Sequence, residues 1–196
     1  MKKIFLVAAV FFTGILTACR TTGYFSGTAP LGIMIVDENG EGITDFKVVL
    51  SNFNKAENGI TNTSGVCVFE NIPAGQYEIS GRKKGYAILS ALQIHFTDKS
   101  EIFCLRAYSS TFVFEQTACF FENGNYQEGI NFLDTLVCDK KSSLNAAVCF
   151  YKAYAYAQLG ESKKLKNEIK KMKNASAGFA EKYSLAVEKL MEKKEE

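Results

Sequence analysis

The apolar positions of this chain change rhythm three times. Lys2 and Lys3 precede a largely apolar run over 4–16, and a short polar, glycine-bearing stretch follows over 20–29. From 31 to 106 the apolar residues come in short blocks separated by turn residues, at 33–36, 46–50, 59–62, 66–69, 76–79, 87–96 and 101–106. A polar loop fills 52–58. Short alternating blocks bounded by Gly, Pro, Asn and Asp predict strands, and seven of them with regular turn signals predict a β-sandwich. Alternation sends Cys67, Phe69, Tyr77 and Ile79 inward and Val68, Gln76 and Glu78 outward. Gly40, Gly65, Gly75 and Gly85 fall at turns, where positive φ or the lack of a Cβ is useful.

Beyond 111 the period becomes helical. Helices are predicted over 112–122, 126–137, 144–159, 162–173 and 179–191, broken at Gly124, at the polar segment 139–143 and at Gly160. In the last of them Phe179, Tyr183, Ala186, Val187 and Leu190 share one face. The fold class is therefore α+β by segregated domains: a seven-stranded β-sandwich followed by an all-α domain of helical hairpins. The expected division is an export signal over 1–18, a tether over 19–29, the sandwich over 30–108 and the helical domain over 111–196.

The run 4–16 is 13 residues long, and a bilayer-spanning helix needs about 20. With lysines before it and small residues after it, it has the layout of a secretory signal. Without Lys2 and Lys3 the 23 basic residues become 21, equal to the 21 acidic ones. A neutral mature chain argues against nucleic-acid binding driven by phosphate neutralisation. Beside Cys19 the chain holds Cys67, Cys104, Cys119, Cys138 and Cys149, none at metal-ligand spacing. Each lies in an apolar segment, which favours buried thiols over a disulfide framework.

Leu16-Thr17-Ala18-Cys19 closes the signal. This resembles the lipobox of bacterial lipoproteins, a Leu and small residues before a Cys. The resemblance implies a diacylglyceryl thioether on Cys19, cleavage before it and acylation, typically palmitate, of the new amine. A plain signal-peptidase site after Ala18 would use the same small residues and leave Cys19 an ordinary thiol. One acyl chain holds a protein on a membrane marginally, and two or more hold it firmly. The implied partner is the membrane, and the implied location a bacterial cell envelope.

Two further resemblances cover the mature chain. Asp37-x-x-Gly40, Val48-x-Leu50, Thr61-x-Thr63-x-Gly65-x-Cys67-x-Phe69, Asn71-Ile72-Pro73-Ala74-Gly75-x-Tyr77 and Gly85-Tyr86 resemble the carboxypeptidase regulatory-like family, whose fold is a transthyretin-like Greek-key sandwich. That module is non-catalytic and serves as a rigid spacer, an interaction surface or a glycan-binding accessory. Gly42 and Asp45 depart from it where it favours Pro and Gly, and Cys67 where it favours an aromatic. In the helical part, Phe121 to Tyr126 aligns with Ala157 to Ser162 at a period of 36. With Phe120, Gly129, Leu133, Ala153, Tyr156 and Ile169 this resembles tetratricopeptide repeats, whose period is about 34. Gln116, Thr117, Lys152 and Leu165 depart from the pattern, and no Pro ends either repeat. Two repeats are fewer than the three a solenoid core needs, so the helices are expected to pack on the sandwich, a second copy or a partner.

Candidate chemistry is sparse. Asp37-x-Asn39-x-Glu41-Gly42 imitates the start of a calcium loop, but the position that should clasp the ion is Val48, so a strand-connecting turn is the simpler reading. His95 is the lone histidine and stands in a strand pattern, facing outward. Neither a zinc site nor a G-x-S-x-G elbow is encoded, so no metal, cofactor or catalytic residue is assigned. Lys163, Lys164, Lys166, Lys170, Lys171 and Lys173 surround the stripe Leu165, Ile169 and Met172. That is a solvated helix face, with attraction to anionic lipid as the functional alternative. Phe150 and Tyr154 share a helix face while Tyr151 points about 100° away. The repeat resemblance implies that Phe150, Tyr154 and Gln158 line a partner-binding groove. The expected function is a membrane-anchored, non-catalytic interaction or scaffold lipoprotein with an envelope protein partner and scope for a homo-oligomer. The alternative is a carbohydrate-binding accessory using the loops 52–58 or 83–86, with Tyr86 stacking on a sugar.

Overall fold

The computed structural model describes residues 25–183 together with Leu185, Ala186 and Lys189. Seven strands precede five helices: β1 (Thr28–Val36), β2 (Lys47–Ser51), β3 (Ala56–Ile60), β4 (Val66–Pro73), β5 (Gly75–Arg82), β6 (Leu89–Phe96), β7 (Ile102–Arg106), α1 (Ser110–Glu122), α2 (Tyr126–Asp134), α3 (Ser143–Gln158), α4 (Ser162–Ala175) and α5 (Ala177–Lys182). The strands form two sheets, ordered β4-β1-β7 and β3-β2-β5-β6. Four of the six connections cross between the sheets. β1 pairs antiparallel with β4 and parallel with β7. The α+β arrangement, sandwich first and helices second, is the one the periodicity predicts.

The inward positions of both sheets make the sandwich core. Leu31, Ile33 and Ile35 of β1 meet Val48 and Leu50 of β2, Phe69 of β4, Ile79 of β5 and Phe96 of β6. Cys67 and Tyr77 are buried with them, while Val68 is half exposed, as alternation requires. Thr61 is a buried polar exception. Its hydroxyl donates to the Ile43 carbonyl at 2.5 Å and accepts from the Phe46 amide at 2.9 Å, so no orphan is left inside.

Three local details differ from the sequence expectation. β1 begins at Thr28, inside the expected tether, because Ala29 is buried against the core and Phe25 packs edge-on to Phe96 with centroids 5.1 Å apart. The polar loop shrinks to a tight turn over 52–55, since Ala56, Glu57 and Asn58 pair with β2 at the sheet edge. Gly75 has no positive φ; Asn71 (φ 58°) and Asp45 (φ 51°) adopt the left-handed conformation instead. Asp tolerates that region better than most residues, which lets Asp45 stand where the resembled family favours Gly. Gly42 is required for a different reason. A Cβ there would lie 2.2 Å from the Ser64 carbonyl oxygen, so the turn around Gly65 (φ 77°) could not close on it.

The helices stack in chain order and dock on one end of the sandwich. Val113, Leu133 and Val148 bury one contact among α1, α2 and α3. Ala146, Cys149, Ala153, Leu165, Ile169 and Met172 bury the larger one between α3 and α4. Gly129 lets α2 approach α1: a Cβ there would meet the Phe121 ring at 2.5 Å. The join to the sandwich is hydrogen-bonded backbone. Ala87 N donates to Tyr108 O at 2.9 Å, Ser110 N to Gly85 O at 2.8 Å and Ile88 N to Val137 O at 2.7 Å.

Candidate interaction site: an aromatic groove on the helical module

α3 begins at Ser142, whose hydroxyl accepts from the Asn145 amide at 3.1 Å, and its C-terminal end is closed by Gly160 in the left-handed conformation. Ser109 caps α1 in the same way, through the Phe112 amide. These two helices carry a groove of about 520 Å³. Phe121 and Ala118 of α1 face Phe150, Tyr151 and Tyr154 of α3, and Glu122, Ala186 and Lys189 complete the described lining. The rings support one another. Phe121 lies 5.7 Å from Tyr154, 6.2 Å from Tyr151 and 5.5 Å from Tyr126, centroid to centroid. Phe150 lies 5.5 Å from Tyr183.

Such a surface is apolar in its floor, carries tyrosine oxygens, and has one carboxylate and one ammonium among its lining. Aromatic residues in that setting give large contact area at low conformational cost, which is why they concentrate in protein interfaces. Burial, followed by the neighbouring Tyr183, raises the Tyr151 phenol above its ordinary value, so the hydroxyl stays protonated and able to donate at neutral pH.

Of the three residues singled out from the sequence, the structure brings Phe150 and Tyr154 together in this groove. Gln158, one turn further along α3, is not in its lining. Tyr151, which helix spacing sets about 100° from Phe150, also borders the groove and stacks on Phe114 of α1 at 5.5 Å. Phe121 and Ala118 were not singled out, since nothing local shows that α1 faces α3.

Behind the groove, α2, α3 and α4 share a charged cluster. Lys152 Nζ lies 2.5 Å from Asp134 and 3.8 Å from Glu168, and Lys171 Nζ lies 2.7 Å from Glu168. Glu168 is only 4% exposed. Burial alone would lower Lys152, but the Asp134 hydrogen bond and the Glu168 charge overcome it and hold the ammonium above its ordinary value. Cys149 sits beside this carboxylate. Burial first, and Glu168 second, push its thiol up to about 11.

A second cavity, of about 940 Å³, lies between sandwich and helices. Lys47, Arg82, Lys84, Tyr86 and Ser143 are among its lining. Tyr86 is half-buried here, its ring edge-on to Phe46 at 6.3 Å, with the Lys83 ammonium 5.8 Å from its centroid. Lys83 itself donates to the Thr44 carbonyl at 2.6 Å, so it is occupied in holding the turn.

The remaining candidates have structural roles. The Asp37 carboxylate accepts from the Asn39 and Glu41 amides, each at 2.9 Å, and so closes the turn after β1. His95 is exposed on β6. The six lysines of 163–173 are exposed around buried Leu165, Ile169 and Met172. All five described cysteines are free thiols. Cys67 and Cys149 are buried, but Cys104 and Cys119 are exposed, against the expectation for apolar segments. Among the described residues no three His, Cys, Asp or Glu side chains gather as a metal site. Cys19 lies outside the described residues.

The chain matches no protein-family model and no curated protein. Solved structures share local likeness with it. The Bacillus anthracis TIE protein is 24% identical over 42% of this chain and 17% of its own, with a TM-score of 0.39. A DUF3823 family protein from Bacteroides ovatus is 12% identical over 42% of this chain and 45% of its own, at 0.36. Catechol 1,2-dioxygenase from Pseudomonas arvilla is 15% identical over 44% of this chain and 54% of its own, at 0.35. This chain spans at most about half of each.

Proposed function

We propose that this protein is a lipid-anchored envelope lipoprotein whose sandwich is a non-catalytic spacer and whose helical module takes a protein partner. Anchoring rests on the Leu16–Cys19 lipobox resemblance and the export signal before it. The single structural observation that carries the rest is the placement of the two ends. The tether joins the sandwich at Thr28, paired with Pro73, whereas the helices leave from Arg106, paired in parallel with Val36. β1 runs nine residues between these ends, about 30 Å at strand rise. The helical module, with its α4 lysines, thus leaves the sandwich at the end opposite to the one where the tether enters. This favours a partner over the lipid surface as what the helices meet.

The partner site is the Phe121–Tyr154 groove, which suits an amphipathic helix or an extended segment presenting apolar side chains. A photo-crosslinking residue at Tyr154 in intact cells is the test. A discrete adduct from position 154, lost on Phe121→Ala and not formed from Lys173, supports the reading. No discrete adduct from 154, or equal adducts from both positions, removes it.

A further inference from the structure

Phe53 is 100% exposed, at the tip of the β2–β3 hairpin. The backbone that carries it is held. The Asn52 carboxamide oxygen accepts from the Asn54 amide at 3.0 Å and the Lys55 amide at 2.9 Å, and the Asn52 amide donates to the Lys55 carbonyl at 2.9 Å. The turn therefore presents the ring on a fixed stem. No apolar neighbour shields it, although a hairpin tip of this kind is ordinarily polar.

Its position gives the exposure a use. Ser51 pairs with Glu78, three residues from Gly75, and Gly75 pairs with Phe96. Pro73 pairs with Thr28, where the chain enters the sandwich. The hairpin tip and the tether therefore stand at the same end, where Phe25 packs on Phe96 and the Lys99 ammonium lies 5.3 Å from the Phe25 ring. From Cys19 to Phe25 is six residue steps, which span at most about 21 Å in any conformation.

We infer that this end of the sandwich is a lipid-contacting face, on which Phe53 enters the boundary between headgroups and acyl chains and fixes how the protein stands on the membrane. The inference rests on lipid attachment at Cys19. A chain held by that sulfur keeps Phe25 within about 21 Å of the bilayer surface, and the tip stands at the same end of the sandwich, so it reaches the bilayer without unfolding. An aromatic ring is suited to that boundary. Carboxylates at this end, Glu57, Asp98 and Glu101, are at least as numerous as the ammonium groups of Lys55 and Lys99. The contact is therefore apolar rather than driven by lipid charge.

The chain contains no Trp, so Phe53→Trp installs a single indole. The full-length variant, purified from bacterial membranes, is floated with phosphatidylcholine vesicles and then with vesicles of brominated phosphatidylcholine. The expected result is co-flotation, a blue-shifted emission relative to the detergent-free double variant Cys19→Ala, Phe53→Trp, and quenching by the brominated chains. Leu159→Trp, on the helical module, is expected to be unquenched. Flotation with an unquenched indole at position 53 overturns the contact and leaves the anchor standing. Failure to float, with a bare thiol at residue 19, removes anchor and contact together. A vesicle-insensitive indole that shifts with a soluble oligosaccharide reassigns the tip to sugar binding and overturns the inference.

Discussion

The Ser109 hydroxyl donates to the Glu38 carboxylate at 2.5 Å, and the Ser109 amide donates to its second oxygen at 3.1 Å. Seventy-one residues apart in sequence, the pair ties the turn after β1 to the cap of α1. The same hydroxyl accepts from the Phe112 amide, so one side chain starts the helical module and fastens it to the sandwich. Ser109→Ala is expected to lower stability by about 1 kcal/mol, as loss of an N-cap does. Glu38→Ala is expected to leave α1 intact but speed cleavage near 107–110 in limited proteolysis. Equal cleavage rates in wild type and Glu38→Ala would show that the tie does not hold the joint.

The Lys152–Glu168 cluster makes a second prediction. Removing one member leaves the other with a single partner, Lys171 for buried Glu168 and Asp134 for Lys152, so each loss stays below the about 3 kcal/mol of a wholly uncompensated buried charge. Lys152→Met and Glu168→Leu are each expected to be clearly destabilising in urea melts. The double variant is expected to recover most of that loss, because both charges leave together. Additive losses would show that the two residues act separately.

Thiol chemistry gives a third. Cys149, at about 11, holds roughly 100-fold less thiolate than an ordinary cysteine at the same pH. Iodoacetamide at pH 8 is expected to label Cys104 and Cys119 first and Cys149 last, read by peptide mass spectrometry. The folded pKa lies above the ordinary 9.0, so the fold retains the proton the unfolded chain gives up. The stability this supplies is complete below about pH 9 and is lost as pH rises through about 11. A melting temperature that rises over that window in wild type, relative to Cys149→Ala, would contradict the assignment.

Two glycines give a fourth. Gly42→Ala drives a Cβ onto the Ser64 carbonyl oxygen, a backbone atom that cannot rotate away. A loss of about 1–3 kcal/mol is expected in chemical denaturation. Gly129→Ala meets the Phe121 ring instead, which can move. Improved helix propensity offsets part of its cost. Its signature is expected in the groove, as weaker crosslinking from Tyr154. A fully stable Gly42→Ala would mean that the turn at Gly65 is looser than the packing implies.

The strands were readable because inward residues repeat every second position, as at Cys67, Phe69, Tyr77 and Ile79. β3 was misplaced because Ala-Glu-Asn-Gly-Ile is an edge strand with almost no apolar signal. Half of the groove was readable, through the i, i+4 spacing of Phe150 and Tyr154. Its other wall depends on which face of α1 meets α3, a long-range fact no local period encodes. Glu168 stands among six lysines and carries the charge of a surface residue. Its position between Leu165, Ile169 and Met172, in the i, i+3, i+4, i+7 stripe, was the available sign that it is buried. Phe53 carried no sequence signal beyond being an aromatic in a polar turn.

The proposed anchoring at Cys19 underlies the proposed spacer, outward helical module and lipid-facing tip. Intact-mass spectrometry of the native protein extracted from membranes tests it most directly. The account predicts a chain that starts at residue 19 with diacylglyceryl and acyl mass on that cysteine. A chain recovered from the soluble fraction with a bare thiol at Cys19 would contradict it.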